Sequence, residues 1–259
     1  SGTHIDELVL MSEPRARAME PSELPVYIRY NSGRDQAYRI RTEIFEKGGE
    51  LSFVRKTALS KKSNEHILSF EHKYELLRDT IENKELHILK PRIGRSRSGL
   101  MYADFEYLRG EKLSELLVRE IKGGKAPLGR LRDELEFLMG RGLSPCHDLD
   151  LVFENVIVTD NGRWLIDYEW VFDTPPSRDH VRYRILRYWY EAYKESLYAY
   201  DSLEDFLSEF GIKGELLSDC EEREASFQDF VNGDGEGRLA SRYMTEPLTV
   251  SRIKEDEER

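Results

Sequence analysis

Apolar and polar residues alternate along much of the first half of the chain, which is the pattern of half-buried β-strands. The alternation predicts five short strands, at residues 26–30, 38–45, 51–58, 86–93 and 100–108. The first three are separated by the turn-rich stretch Asn31–Asp35 and by Gly48-Gly49, a hairpin signal. Strands joined by such short turns run antiparallel, so the sequence predicts an antiparallel sheet in this part of the chain.

Helical spacing accounts for most of the remaining pattern. Apolar residues three to four apart predict one helix at 61–79, with a stripe formed by Ile67, Phe70, Tyr74 and Leu77. After residue 108 the same spacing predicts helices at 112–122, 129–141, 179–200, 202–210 and 215–231. A short hairpin lies among them, with strands at 156–158 and 164–166. The sequence therefore predicts an α+β chain, strand-rich with one helix at first and helix-rich with one hairpin afterwards.

Composition and charge narrow the classes of function. The 259 residues are 39% hydrophobic and 34% charged, enough for a packed core beneath a heavily charged surface. A net charge of −11 repels nucleic-acid backbones, and no apolar run is long enough to span a bilayer. Two cysteines, Cys146 and Cys220, favour reduced thiols and a cytoplasmic location. The start, Ser1-Gly2-Thr3, lacks an initiator Met and the layout of a signal peptide, as expected after removal of a tag.

The most informative segment runs from residue 146 to residue 169. Asp150 and Asn155 lie five residues apart on a predicted loop that leads into the hairpin, and Asp167 follows its second strand. Because the hairpin returns the chain, the three side chains are predicted to converge on one point. Phosphoryl transfer needs such groups, a carboxylate to orient an acceptor hydroxyl and oxygen ligands to hold magnesium. An ordinary hairpin with acids at its ends is the alternative interpretation.

These residues resemble motifs of the protein-kinase-like superfamily. Asp150 to Asn155 has the spacing of its catalytic loop, and Ile166-Asp167-Tyr168-Glu169 is similar to the metal-binding segment of aminoglycoside and choline kinases. The resemblance implies a two-lobed fold that binds ATP and Mg²⁺ between an antiparallel-sheet lobe with one helix and a mainly helical lobe. It also implies that Asp150 is the catalytic base and that Asn155 and Asp167 are the metal ligands.

Further matches follow in the order that this fold requires. Lys56, on the third predicted strand, stands where the superfamily grips the nucleotide phosphates, while Arg55 alternates to the opposite face. The next helix offers Glu71 as the partner of Lys56, with Glu65 and Glu75 as rivals. A single Lys and Glu in such positions are more often a solvated pair, and their place in the series is what favours the assignment.

Two more stretches resemble nucleotide-binding parts of the fold. The strand, connector and helix at 105–113 resemble the hinge between kinase lobes, which implies that backbone groups of Glu106 and Leu108 pair with adenine. The turn with Ser32 and Gly33 stands where protein kinases have a glycine-rich phosphate loop. It keeps a single Gly, which is a departure from that pattern.

The catalytic segment departs from the pattern as well. Asp148 stands two residues before Asp150, where His is usual, and Val152 stands where protein kinases have a Lys. After Asp167 the chain is predicted to enter a helix within about ten residues, too few for the long activation segment that presents peptide substrates. Residues 167–190 look most like kinase domains of bacterial surface-polysaccharide assembly, such as those that cap O-antigen chains.

From these matches we expect an N-terminal extension, a nucleotide-binding lobe, a helical lobe and a charged tail, at residues 1–25, 26–108, 109–245 and 246–259. The expected function is transfer of the γ-phosphate of ATP to a hydroxyl of a small molecule or glycan. The expected partners are a nucleotide and that acceptor, without nucleic acid. Two alternatives stay open, a pseudokinase that binds nucleotide or acts as a scaffold, and a kinase-fold nucleotidyltransferase.

Overall fold

The computed structural model of the protein describes residues 25–81, 83–140 and 146–233. These residues divide into two compact units. The first unit comprises the described residues within 1–67, 94–104 and 229–259, and the second comprises those within 68–93 and 105–228. The expected N-terminal extension (apart from Pro25) and the charged tail lie outside the described residues.

The secondary structure follows the predicted order of elements. The strands are β1 (Pro25–Tyr30), β2 (Ile40–Lys47), β3 (Glu50–Ala58), β4 (Leu86–Ile88), β5 (Arg92–Arg95), β6 (Met101–Glu106), β7 (Glu111–Lys112), β8 (Val156–Thr159) and β9 (Gly162–Leu165). The α-helices are α1 (Asn64–Thr80), α2 (Leu113–Val118), α3 (Leu128–Met139), α4 (Arg178–Tyr193), α5 (Leu203–Ser208) and α6 (Glu215–Asn232). Short 3₁₀ turns lie at Lys61–Ser63, Phe153–Asn155 and Lys194–Ser196.

The larger sheet has the spatial order β1-β2-β3-β6-β5. Its first three strands are antiparallel neighbours, as their short connections predict. The turn between β2 and β3 is tight because Gly48 and Gly49 adopt positive φ angles of 64° and 85°, which other residues rarely adopt. In the register of these strands Thr42 is opposite Lys56, and the alternation along β3 sends Lys56 and Arg55 to opposite faces of the sheet.

Side chains fix the start of the helix that follows β3. The Ser63 hydroxyl accepts a hydrogen bond from the Ser60 N–H at 3.1 Å and lies 3.0 Å from the Ser60 carbonyl oxygen, to which it donates. In the next turn the side chain of Asn64 donates to the carbonyl of Gly99 at 3.1 Å and accepts from the N–H of Met101 at 2.8 Å. These bonds attach the first turn of α1 to the β5–β6 connection within the first unit.

The second unit contains a smaller sheet, in the order β4-β9-β8-β7. The predicted hairpin is present as antiparallel β8 and β9, and β4 pairs with β9 in parallel. The single strand predicted at 86–93 is wrong: its beginning forms β4 and its end belongs to β5 in the larger sheet. Pro91 separates the two pieces, because proline lacks the N–H that would continue a strand's hydrogen bonding.

Aromatic side chains fill the helical core of the second unit. Trp189, Tyr183 and Phe206 are almost completely buried. The indole N–H of Trp189 donates to the carbonyl of Ser114 at 3.2 Å, and Tyr190 stacks on Phe206 with ring centroids 5.2 Å apart. The aromatic residues of α4 therefore serve as packing residues that join α4 to α2 and α5.

The α+β architecture predicted from the sequence is confirmed: an antiparallel sheet with one helix, followed by a mainly helical part with one hairpin. Three helices are shorter than predicted by three residues or more. α2 ends at Val118 rather than near residue 122, α5 spans Leu203–Ser208 rather than 202–210, and α4 ends at Tyr193 rather than at residue 200, with a 3₁₀ turn directly after it. Across the described ranges, none of the helices combines the length and the apolar composition that crossing a bilayer requires.

Candidate active site

The predicted catalytic loop pairs with the chain segment that follows Asp167. The N–H of Leu149 donates to the carbonyl of Trp170, and the N–H of Phe172 donates to the carbonyl of His147, both at 3.0 Å. The ring Nδ1 of His147 lies 2.7 Å from the carbonyl oxygen of Phe172. These contacts form a short antiparallel bridge within the second unit, and they fix the loop beside the segment after Asp167.

The candidate base is held by main-chain and side-chain hydrogen bonds. The N–H of Trp170 donates to the Asp150 carboxylate at 3.0 Å. The backbone carbonyl of Asp150 accepts from Asn155 Nδ2 at 2.9 Å and from the N–H of Val152 at 2.7 Å. Asp150 and Asn155 are therefore brought together as the sequence predicts, in a loop whose last residues form a 3₁₀ turn.

Asp167 lies at the base of the same hairpin. It comes two residues after the end of β9, and the N–H of the intervening Ile166 donates to the carbonyl of Asn155 at 3.0 Å. That bond closes the hairpin where β8 begins and β9 ends. The structure thus brings Asp150, Asn155 and Asp167 to one place in the second unit, and their individual roles stay predictions.

A third carboxylate, Asp148, lies beside the predicted residues. Its side chain is 1% exposed, and one of its oxygens accepts from the N–H of Asp150 at 2.8 Å. The other oxygen has no hydrogen-bond partner among the described residues. Burial raises the pKa of Asp148 well above its usual value, and the negative charges of Asp150 and Asp167 raise it further. Burial and the two neighbouring carboxylates therefore both favour the protonated form of Asp148 over the charged one.

A buried arginine supports the catalytic loop from α4. Arg184 donates from Nε to the carbonyl of Leu149, between Asp148 and Asp150, at 2.9 Å. Its Nη1 lies 2.7 and 2.6 Å from the two carboxylate oxygens of Glu224 on α6. Sequence reasoning missed this residue, because a charged residue in a helical pattern is expected at the surface. Arg184 lies four residues after His180, another buried polar residue of α4, but the sequence carries no signal that either side chain is buried.

The predicted phosphate-binding lysine lies in the first unit. Lys56 is 4% exposed on β3, and its neighbour Arg55 on the opposite face is bound by the Asp104 carboxylate, with Nε 2.7 Å from Oδ1. The proposed partner Glu71 belongs to the second unit and is exposed on α1. The pairing of Lys56 with Glu71 therefore stays a prediction.

The rival partners of Lys56 are placed as follows. Glu65 is exposed in the first turn of α1. Glu75 forms an ion pair with Arg78, one turn further along the helix. Glu75 is thus paired with a cation on its own helix. Glu65 and Glu71, the other two candidates, are exposed.

The remaining nucleotide-binding candidates lie in turns and connectors. Ser32 and Gly33 form the turn that follows β1 in the first unit, and Glu106 ends β6. Leu108 lies in the connector that leads to β7. The Gly of this connector, Gly110, is required by packing, because a Cβ atom there would lie 2.4 Å from the carbonyl oxygen of residue 158.

The donor set suits magnesium. Asp167 offers carboxylate oxygens and Asn155 an amide oxygen, and Mg²⁺ is commonly held by one or two such protein ligands together with water and substrate phosphates. In the described ranges, His, Cys, Asp and Glu do not form a group of three or more that could hold a metal alone.

Comparison with known proteins gives similarities at the level of the fold. No protein-family model and no curated protein sequence matches the chain. Among solved structures, the Mycobacterium tuberculosis PknI kinase domain is 14% identical, with a TM-score of 0.37 over 67% of this chain and 74% of that one. A crystal structure of WbdD is 16% identical, with a TM-score of 0.38 over 77% of this chain and 50% of that one, so this chain spans about half of it.

A third similar structure is the GDP and kanamycin complex of APH(2")-IIia. It is 15% identical to this chain, with a TM-score of 0.37 over 87% of this chain and 95% of that one. Because every identity is below 25% and every TM-score is below 0.5, these similarities do not establish what this chain binds or transforms.

Proposed function

We propose that this protein transfers the γ-phosphate of ATP to a hydroxyl group of a small molecule or glycan. The observation that carries the proposal is the meeting of Asp150, Asn155 and Asp167 at the base of the β8–β9 hairpin. Such a combination of a fixed carboxylate and two further oxygen ligands is what phosphoryl transfer requires of a protein.

Asp150 is the proposed base. The hydrogen bond from the N–H of Trp170 orients its carboxylate and stabilises the ionised form. In that form the carboxylate accepts a hydrogen bond from an acceptor hydroxyl and takes its proton as the hydroxyl oxygen bonds to the γ-phosphorus, while the bond from that phosphorus to the bridging oxygen breaks and ADP leaves. The neighbouring Asp148 is buried, and burial raises the pKa of its carboxyl group, which disfavours a second negative charge beside Asp150.

Asn155 and Asp167 are the proposed metal ligands. Because Asn155 Nδ2 donates to the carbonyl of Asp150, the amide oxygen of Asn155 is turned the other way and serves as the ligand. The hydrogen bond from the N–H of Ile166 to the backbone carbonyl of Asn155 holds the two backbone segments that carry Asn155 and Asp167 together. When bound, Mg²⁺ neutralises charge that develops on the transferred phosphoryl group.

The nucleotide is proposed to bind through Lys56 and the Ser32-Gly33 turn, with Glu106 and Leu108 at the adenine. Burial of Lys56 supports a functional role, since it is 4% exposed and lysines are rarely buried without one. The short connection from Asp167 to α4, which begins at residue 178, supports a small acceptor rather than a peptide. Within that class we propose a bacterial surface-polysaccharide precursor, from the resemblance of residues 167–190.

Two isosteric variants test the proposal. Asp150→Asn and Asp167→Asn remove a charge and keep the shape, so the fold should persist while ATP consumption falls by about 100-fold or more. The matched control is Asp160→Asn in the exposed turn of the same hairpin, which should consume ATP at the wild-type rate. Turnover is measured as ATP consumption against a panel of aminoglycoside, choline and oligosaccharide acceptors. Wild-type rates in either site variant would exclude the assignment.

The alternatives give different outcomes in the same experiments. A pseudokinase is favoured by two departures, Asp148 in place of His and Val152 in place of Lys. It would show a thermal shift with Mg-ATP but no turnover with any acceptor. A nucleotidyltransferase would add a nucleotide rather than a phosphate, which the mass of the product distinguishes. Absence of any Mg-ATP thermal shift in the wild-type protein would exclude the proposed function.

A further inference from the structure

A lysine of α1 reaches the segment that carries Asp167. Lys73 is 8% exposed, and its Nζ donates to the backbone carbonyl of Glu169 at 2.6 Å. The same Nζ lies 5.3 Å from the ring centroid of Phe70. Lys73, Phe70, Asp167 and Glu169 all belong to the second unit. Burying an ammonium group is costly unless hydrogen bonds and nearby negative charge compensate, so a lysine in this position needs a reason.

The three residues after Asp167 are each held by a hydrogen bond. Tyr168 donates its hydroxyl to a main-chain carbonyl, that of residue 89, at 2.6 Å. The carbonyl of Glu169 accepts from Lys73, and the N–H of Trp170 donates to the candidate base at 3.0 Å. Lys73 therefore supplies the middle one of three successive attachments, two residues away from the predicted metal ligand.

The positive charge of Lys73 gives it a second role, because carboxyl groups are crowded near it. The two site segments carry four carboxyl groups: those of Asp148, Asp150, Asp167 and Glu169. Lys73 and Arg184 are buried cations that donate to main-chain carbonyls within these segments, at residues 169 and 149. Each cation thus fixes the backbone beside an acid and also adds positive charge where acids are crowded.

We propose that Lys73 is a positioning residue that fixes the Asp167 segment and thereby sets the affinity of the site for Mg²⁺. The proposal rests on the proposed phosphotransferase function. Lys73 is a buried cation through which α1 contacts the candidate site, whereas Glu71 of the same helix is exposed. Partners that hold a metal-ligand segment in place without touching the metal commonly change metal affinity or activity by about 10-fold to 100-fold when they are removed.

The test is Lys73→Met, which keeps an unbranched side chain and removes the ammonium group. We expect the Mg²⁺ concentration for half-maximal ATP consumption to rise by about 10-fold to 100-fold. In the metal-free variant, amide hydrogen exchange of residues 166–172 should accelerate, since this segment loses one attachment. The melting temperature should fall by only a few degrees, because the lost hydrogen bond to the Glu169 carbonyl is partly offset by no longer burying a charge. Lys73→Arg should restore part of the Mg²⁺ affinity.

The matched control is His72→Gln on the same helix. His72 lies 2.6 Å from the Asp173 carboxylate, and both side chains are exposed. This variant also removes a contact between α1 and the segment after Asp167, but away from the buried site. It should leave the Mg²⁺ requirement and the exchange of residues 166–172 unchanged.

The outcomes separate this inference from the proposed function. Faster exchange confined to residues 166–172 together with a higher Mg²⁺ requirement in Lys73→Met supports it. An unchanged Mg²⁺ requirement, or unchanged exchange, in an otherwise active variant overturns it and leaves the phosphotransferase in place. A wild-type protein that neither binds nor consumes Mg-ATP overturns the function and this inference together, and the wild-type data alone reveal that case.

Discussion

Replacing Arg184 by Met removes the cation from a buried cluster that joins α4, α6 and the catalytic loop. Arg184 and Glu224 are 4% and 3% exposed. In the wild-type protein the guanidinium contacts both oxygens of Glu224, at 2.7 and 2.6 Å, and the carbonyl of Leu149 at 2.9 Å. Glu224 also lies 3.1 Å from Nε2 of His180. The substitution therefore leaves a buried carboxylate without its closest cation and a buried carbonyl without its donor.

The expected cost follows from those contacts. Breaking a buried ion pair by removing one partner costs about 3–5 kcal/mol, because the remaining charge stays buried. The hydrogen bonds that Glu224 still accepts from His180 and Gln228 place the expected value near the lower end, at about 3 kcal/mol. For a chain of this size that loss lowers the melting temperature by roughly 6–12 °C.

Urea unfolding followed by tryptophan fluorescence measures the loss, since Trp170 and Trp189 are both buried in the second unit. The double variant Arg184→Met with Glu224→Leu removes both charges and should be more stable than the single variant. Arg223→Met is the matched control on α6, where the arginine forms an exposed pair with Asp219, and its unfolding midpoint should equal that of the wild-type protein. The reasoning is refuted if the double variant is no more stable than Arg184→Met.

Three further predictions concern stability. Tyr168→Phe removes the buried hydroxyl bonded to a main-chain carbonyl and should cost about 1–2 kcal/mol in urea unfolding; a neutral result would contradict that bond. Gly110→Ala should cost about 1–3 kcal/mol in the same assay, because the new Cβ meets a backbone oxygen, whereas the open Gly129→Ala should cause no such loss. Burial alone raises the pKa of Glu224, but its bonds with His180, Arg184 and Gln228 outweigh burial and lower the pKa to about 2 from a usual 4.5. Glu224 therefore contributes about 2 kcal/mol to the free energy of unfolding above pH 4.5, and this contribution is lost as the pH falls to about 2. A free energy of unfolding that does not fall across that acid range would disprove the assignment.

Local pattern was enough to predict most elements of the fold. β3 was predicted at 51–58 and is found at Glu50–Ala58, and α6 was predicted at 215–231 and is found at Glu215–Asn232. Both have a strong period and clear ends, so that neighbours in sequence decide their structure. The strand predicted at 86–93 failed for the opposite reason. Its first residues pair with a strand far along the chain, and a local pattern carries no information about that partner.

The buried charges could not be predicted from periodicity. On a helical wheel at about 100° per residue, Glu71 and Lys73 each lie about 80° from the centre of the predicted apolar stripe, on opposite sides. The stripe therefore gave no reason to bury one rather than the other. The structure buries His66 as well, which moves the centre of the buried face towards Lys73 and leaves Glu71 exposed.

The candidate site was predictable to the extent that it is local in sequence. Asp150, Asn155 and Asp167 come together because one hairpin returns the chain, and the spacing of the three residues shows this. Arg184 reaches the same loop from α4, and Glu224 on α6 binds Arg184, so both depend on how the helices of the unit pack. Their charge makes them look like surface residues until the structure shows what covers them.

The parallel pairing of β4 with β9 has a consequence for synthesis of the protein. Leu86 pairs with Arg163, so β4 leaves the ribosome long before its partner strand exists. At a rate of protein synthesis of about 5–20 residues per second, Arg163 is added roughly 4–16 s after Leu86. The hairpin of β8 and β9 can form within microseconds of its emergence. The smaller sheet is complete only when β4, which was synthesised much earlier, pairs with β9. The backbone that carries Asp167 thus acquires its final support late in translation.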